Sequence, residues 1–111
     1  MTSKEASSQK LTAQARKHYR TIGHQLKPVV IIAQKGFNDN IKNEIDRALE
    51  DHELIKTKIL TSTKEEKKSL IETICTTLNA QSVQSIGNIV LLYRPAKKQN
   101  PQLSNLLRFR K

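Results

Sequence analysis

Aromatic residues are scarce in this chain. Its 111 residues hold two tyrosines, two phenylalanines and no tryptophan. A sheet that reads bases by stacking them on aromatic rings needs more than that. Cysteine occurs once, at Cys75. That excludes an internal disulfide and a multi-cysteine zinc site, and it fits a reducing cytoplasm. The apolar runs VVIIA and IVLLY are five residues each, far short of the ~20 that span a bilayer. The opening MTSKEASSQK lacks the apolar stretch of a secretory signal. Acidic residues are few as well, ten against twenty basic ones, for a net charge of +10. In so small a chain this excess favours a polyanion as partner.

The charge is also segregated. Residues 1–37 hold seven basic side chains and one acidic, residues 38–53 two and six, residues 54–93 five and three, and residues 94–111 six and none. One segment is acidic, and the beginning and end of the chain are basic.

Apolar spacing organises the middle of the chain. Leu11, Ala15, His18 or Tyr19, and Ile22 are spaced as on one helical face, and Gly23 suits a helix stop. Pro28 opens a strand over residues 29–33. Asn38 is a good N-cap for a helix with Ile41, Ile45, Ala48 and Leu49 on one face, ending at Asp51 and His52. In residues 54–60, Ile55, Thr57 and Ile59 alternate with Lys56 and Lys58, as in a strand with one face inward. Ser62 with Glu65, or Thr63 with Glu66, forms a capping box before a third helix carrying Leu70, Ile74 and Leu78 inward. Asn79 is its exit. Residues 83–86 and 89–93 are two short strands joined by Gly87-Asn88, which suits a type II′ turn. The order α-β-α-β-α-β-β implies an α/β (α+β two-layer) sandwich with a mixed four-stranded sheet and three helices. Residues 1–9 read as a disordered segment, 10–95 as one domain and 96–111 as a basic tail. In the tail, Leu103, Leu106 and Leu107 dock on the domain, on a partner, or order on RNA.

The bend Lys35-Gly36 falls between a strand and a helix start. Helix starts offer unpaired N–H groups and partial positive charge, so anions collect there. A simple tight turn with a solvated lysine is the plainer reading. Asp39, in the first helical turn, opposes an anion on the helix axis.

Three stretches, LKPVVIIAQKGFNDNI (26–41), HELIKTKI (52–59) and SIGNIVLLYRP (85–95), resemble the CRM domain (chloroplast RNA splicing and ribosome maturation) in its stand-alone bacterial, YhbY-like form. The resemblance covers residues 11–95. It implies a fold like the C-terminal domain of translation initiation factor three, RNA as partner, and a role in assembling the large ribosomal subunit on its precursor rRNA, with ribosomal proteins nearby. It also implies a GxxG loop like the one by which KH domains clamp an RNA backbone. Here the loop reads Ala33-Gln34-Lys35-Gly36, with alanine for the first glycine. A position that needed positive φ would be strained by it.

The candidate RNA-binding residues are Arg16, Lys17 and Arg20 on the first helix, Lys27 before the first strand, Ala33, Gln34, Lys35 and Gly36 in the loop, Lys42 in the second helix, Lys56 and Lys58 on the second strand, and Arg94 after the last. Singly, each cation reads as a solvated surface charge; their number carries the case. His18, His24 and His52 lack metal-ligand spacing, Cys75 and Phe37 read as core, and no phosphate-loop or catalytic constellation is visible. The expectation is a cytoplasmic, monomeric, non-enzymatic protein with no metal, cofactor or membrane partner. A protein-interaction adaptor on ribosomal particles and a general nucleic-acid-binding protein are the alternatives.

Overall fold

A computed structural model describes residues 11–33, 37–60 and 63–108. The elements are α1 (Ala13–Gly23), β1 (Pro28–Ile32), α2 (Asp39–His52), β2 (Leu54–Ile59), α3 (Lys64–Leu78), β3 (Gln81–Ile86), β4 (Ile89–Tyr93) and a short α4 (Asn105–Arg108). The strands form one mixed sheet in the order β1-β2-β4-β3. β1 and β2 are parallel, as a strand–helix–strand unit requires. β3 runs the same way but is not their neighbour. The hairpin folds β4 back between β2 and β3, antiparallel to both.

Local chemistry explains the element ends. Thr12, Asn38 and Thr63 cap the three long helices, each accepting a backbone N–H three residues on. Thr63, rather than Ser62, therefore starts α3; Ser62 lies outside the described residues. Asn79 ends α3 in the left-handed region, at φ 57 and ψ 44. Gly87 has φ +57 while Asn88 is not left-handed, which makes the turn type II′ as expected.

Two cores lie on opposite faces of the sheet. On one face α2 and α3 cover Val30, Ile32, Ile55, Ile59, Val90 and Leu92, with Ile45, Leu49, Ile71, Ile74 and Leu78 supplied by the helices. Phe37 and Cys75 pack against this core. Burial pushes the Cys75 thiol up from its ordinary pKa. On the other face α1 lays Ile22 on Leu54, Val83 and Leu91, joined by Tyr19, Tyr93 and Leu106. The helices thus sit on both faces, and α1 forms a partial extra layer beyond the expected two.

Gly23 proves to be the last helical residue rather than a left-handed stop, with His24 as an ordinary αR cap. A Cβ on Gly23 would lie 2.7 Å from Leu91 Cδ2. Its glycine lets the end of α1 approach the sheet.

Candidate nucleic-acid interface

α1 covers only part of its face. Val29 (52% exposed), Ile31 (55%) and Ile86 (61%) stay bare on the rest. Lys58 lies between Ile31 and Ile89 in register and is exposed. Lys56, two residues earlier on the same face, is half-buried and lines two hollows. One, of about 190 Å³, also involves Lys27 and Val29. The other, of about 210 Å³, lies between Gly23 and His24 at the end of α1 and Ile89 on the sheet. Among the described residues, no acidic side chain lines either hollow. Lys27 is exposed on the link between α1 and β1, Arg20 is half-buried in the last turn of α1, and Lys17 is exposed one turn earlier. Lys27, Lys56 and Lys58, with the end of α1, therefore border one uncovered half-face.

Other candidates lie elsewhere. The Arg16 guanidinium turns inward, and its Nη1 donates to the carbonyls of Ser82 (3.0 Å) and Val83 (2.9 Å). It braces α1 against β3. Arg94 is 15% exposed and reaches the acidic helix: Nη1 donates to Asp46 Oδ1 (2.8 Å) and the Leu78 carbonyl (3.1 Å), and Nη2 lies 3.6 Å from Glu50. Neither guanidinium joins the open half-face. Lys42 is half-buried in the first turn of α2, the helix layer behind the sheet. Ala33 is exposed and does not adopt positive φ, so alanine there is unstrained. Gln34, Lys35 and Gly36 lie outside the described residues.

Among the described residues, no tyrosine or phenylalanine ring lines the two hollows of the open half-face. Tyr19 and Tyr93 meet at 5.0 Å between ring centroids within the α1 core. Burial, reinforced by Tyr19, drives the Tyr93 hydroxyl far above its ordinary pKa. Phe37 is in the other core, and Phe109 lies outside the described residues.

Sequence reasoning missed Glu53. It follows α2 with φ 64, a costly conformation for a non-glycine residue. Its carboxylate is 3% exposed and gathers the C-terminal segment. Oε2 accepts the Ala96 N–H at 2.8 Å, and Oε1 accepts Gln99 Nε2 at 2.6 Å and Ser104 Oγ at 2.7 Å. Burial alone would raise its pKa, but these three bonds to the charged form hold it below the usual value. Glu50 accepts the N–H groups of Lys97 and Lys98, His52 Nδ1 donates to the Leu103 carbonyl, and Asn105 Nδ2 donates to the Leu54 carbonyl. The tail thus docks on the domain as a strap over residues 94–108. The spacing Asp46, Glu50, Glu53, one side of a helix ahead of a basic tail, was the available signal.

The family model for the CRS1 / YhbY (CRM) domain matches residues 11–94. The chain belongs to this family. It is 41% identical to the Pseudomonas aeruginosa protein named "Probable RNA-binding protein PA4753", over 89% of this chain and 95% of that one. A Haemophilus influenzae protein named "RNA-binding protein" is 36% identical over 84% of this chain and 94% of its own length. The solution structure of a hypothetical Staphylococcus aureus protein, suggested to bind RNA, superposes with a TM-score of 0.70 at 34% identity, covering 80% of this chain and 93% of that one. The strap begins where the family match ends.

Proposed function

We propose that this chain binds structured RNA, gripping phosphates with Lys17, Arg20, Lys27, Lys56 and Lys58 around the uncovered half of the sheet. The observation that carries this reading is the placement of Lys56 and Lys58 on a bare sheet face, with no acidic side chain among the described residues that line the hollows beside it. The names of its relatives point the same way. The acidic residues most suited to an adaptor role, Asp46, Glu50 and Glu53, are occupied within the chain by Arg94 and the strap. With no tyrosine or phenylalanine ring among the described residues lining the hollows, recognition falls on backbone and shape rather than base stacking. The biological reading is assembly of the large ribosomal subunit, in which the protein holds a segment of precursor rRNA in a competent fold. That part rests on the family's link to ribosome maturation.

Fluorescence anisotropy with a structured large-subunit rRNA fragment tests the binding. Affinity should fall linearly on a log–log salt plot, by about 0.7–0.9 per phosphate neutralised. Lys17→Glu with Lys58→Glu should weaken binding by tenfold or more, on the order expected when two phosphate contacts become repulsive. A flat salt response, or unchanged affinity in the double variant, rejects this surface. Crosslinking in cells followed by sequencing of the bound RNA tests the assembly role. Crosslinks spread over messenger RNA would reject that role and leave RNA binding standing.

A further inference from the structure

Besides its lysines, the bare half-face holds an amide side chain, Gln84, turned there by an irregularity in β3. The register of β3 against β4 shifts between Ser82 and Gln84. Side chains of a regular strand alternate between faces, and a bulge breaks the alternation. Val83 enters the α1 core, and Gln84, the next residue, lines the hollow of about 210 Å³ on the same side of the sheet. Arg16 braces this bulge, since its Nη1 donates to the carbonyls of Ser82 and Val83. Gln84 pairs in register with Leu91, and Leu91 with Lys56, so the three form one row across the face. Ile86 and Ile89 pair in the next row and extend an aliphatic floor. Gly23 and His24 close the hollow from the end of α1. The carbonyls of that helix end are already engaged: those of Arg20 and Thr21 accept the His24 N–H, that of Ile22 the Gln25 N–H and that of Gly23 the Leu26 N–H, which weakens their repulsion of an anion. Among the described residues, neither the Gln84 amide nor the Lys56 ammonium has a hydrogen-bond or ion-pair partner.

Neighbouring strands lie ~4.8 Å apart, so Lys56 on β2 and Gln84 on β3, with β4 between them, stand about 10 Å apart along the row. A nucleotide bridges a similar span from its phosphate to the outer edge of its base. The aliphatic floor suits the flat face of a base, and the hollow has room for one. The Gln84 amide donates and accepts side by side, as the pairing edge of every base also does. We propose that this hollow takes a single unpaired nucleotide of the bound RNA, its phosphate at Lys56, its base on Leu91, Ile86 and Ile89, and its pairing edge on the Gln84 amide. This rests on the RNA-binding reading above and adds one base contact to a surface that otherwise grips backbone. Its consequence is selectivity for form: a bulged or looped-out nucleotide of any base is preferred over continuous duplex, whose pairing edges are occupied. The groove of about 690 Å³ around Arg94 offers no such match, because Asp46 and Glu50 neutralise its cation.

Two experiments on the full chain test it. An RNA hairpin with one bulged nucleotide, made in four versions that differ only in the bulged base, is compared with its fully paired form by fluorescence anisotropy. Each bulged form should bind the wild type about tenfold tighter than the paired form, a factor within reach of one bidentate base contact. Gln84→Ala should remove most of that preference while the paired hairpin still binds. Gln84→Glu should put the guanine bulge ahead of the other three, because guanine alone presents two neighbouring donors, a ring N–H and an amino group, to a carboxylate. Methyl spectra of the wild-type complexes then locate the base. Its ring current should displace the methyl signals of Ile86, Ile89 and Leu91 in the bulged complex relative to the paired one. Equal affinity of the wild type for bulged and paired hairpins, a preference that survives Gln84→Ala, no lead for guanine in Gln84→Glu, or displaced methyls elsewhere overturns the slot and spares RNA binding. Failure to bind any hairpin overturns the RNA-binding reading instead. Should the Gln84 variants not fold, the wild-type affinities and methyl spectra decide alone.

Discussion

Replacing Glu53 by glutamine should release the strap. The carboxylate has only acceptors, and three donors converge on it: Ala96 N–H, Gln99 Nε2 and Ser104 Oγ. Glutamine turns one oxygen into an NH2 group, which must face one of those donors. If it faces Ala96, that N–H loses its partner, at about 1–3 kcal/mol for a buried unsatisfied group. The remaining two bonds become neutral ones and lose about 1 kcal/mol between them, since charge-assisted bonds are roughly twice as strong. The total is about 2–4 kcal/mol, a large share of the ~5–15 kcal/mol that holds a domain folded. The local backbone adds a check. Position 53 has φ 64, so Glu53→Gly relieves strain worth on the order of 1 kcal/mol while deleting the same three bonds. Urea denaturation supplies the free energies, and amide exchange at Ala96 and Ser104 reports the strap itself. Glu53→Gln should cost about 2–4 kcal/mol and expose those amides to faster exchange. If its stability lies within about 0.5 kcal/mol of wild type with exchange unchanged, the latch argument is wrong.

Acid should act through the same group. Because the folded pKa of Glu53 is lowered, its stabilisation is complete above the ordinary carboxylate range and is lost as pH falls through the folded value. The stability gap between wild type and Glu53→Gln should therefore narrow below about pH 4, and a constant gap would contradict the assignment. Gly23→Ala should destabilise by about 1–3 kcal/mol through the contact with Leu91, and Leu91→Val in the same chain should recover part of the loss in a denaturant double-mutant cycle. Arg16→Ala should cost about 1–3 kcal/mol of stability, as two carbonyls lose their donor, whereas Lys17→Ala should leave stability within about 0.5 kcal/mol and weaken RNA binding. Thermal melts and anisotropy on both variants separate the two roles.

What the sequence made legible was the part governed by short-range chemistry. The caps at Asn38 and Thr63, the exit at Asn79 and the Gly87 turn depend on neighbours within four residues, and each was readable. The alternation of Ile55, Thr57 and Ile59 with Lys56 and Lys58 placed the right side chains on the open face, and the sheet's order came only from long-range pairing. β4 inserts between β2 and β3, and no local pattern specifies that. The strap was illegible for the same reason. Its polar composition looks solvated, and its partners lie some 40 to 50 residues away on α2 and the residue after it. Arg16 and Arg94 looked like surface cations, although their partners are carbonyls and carboxylates brought near by folding. The acidic segment has an internal use: it binds the basic tail back onto the domain. Of the candidate site, Lys27, Lys56 and Lys58 converge, whereas Arg16, Lys42 and Arg94 lie apart from them.

The account turns on which side of the sheet meets RNA, and lysine protection reads that directly. The full chain, free and bound to a structured rRNA fragment, is acetylated briefly and mapped by mass spectrometry. Lys17, Lys27, Lys56 and Lys58 should become protected, while Lys64 and Lys68, exposed on α3 behind the sheet, should react as before. Protection of Lys64 and Lys68 with continued reaction at Lys56 and Lys58 would place the RNA on the opposite layer and contradict the account.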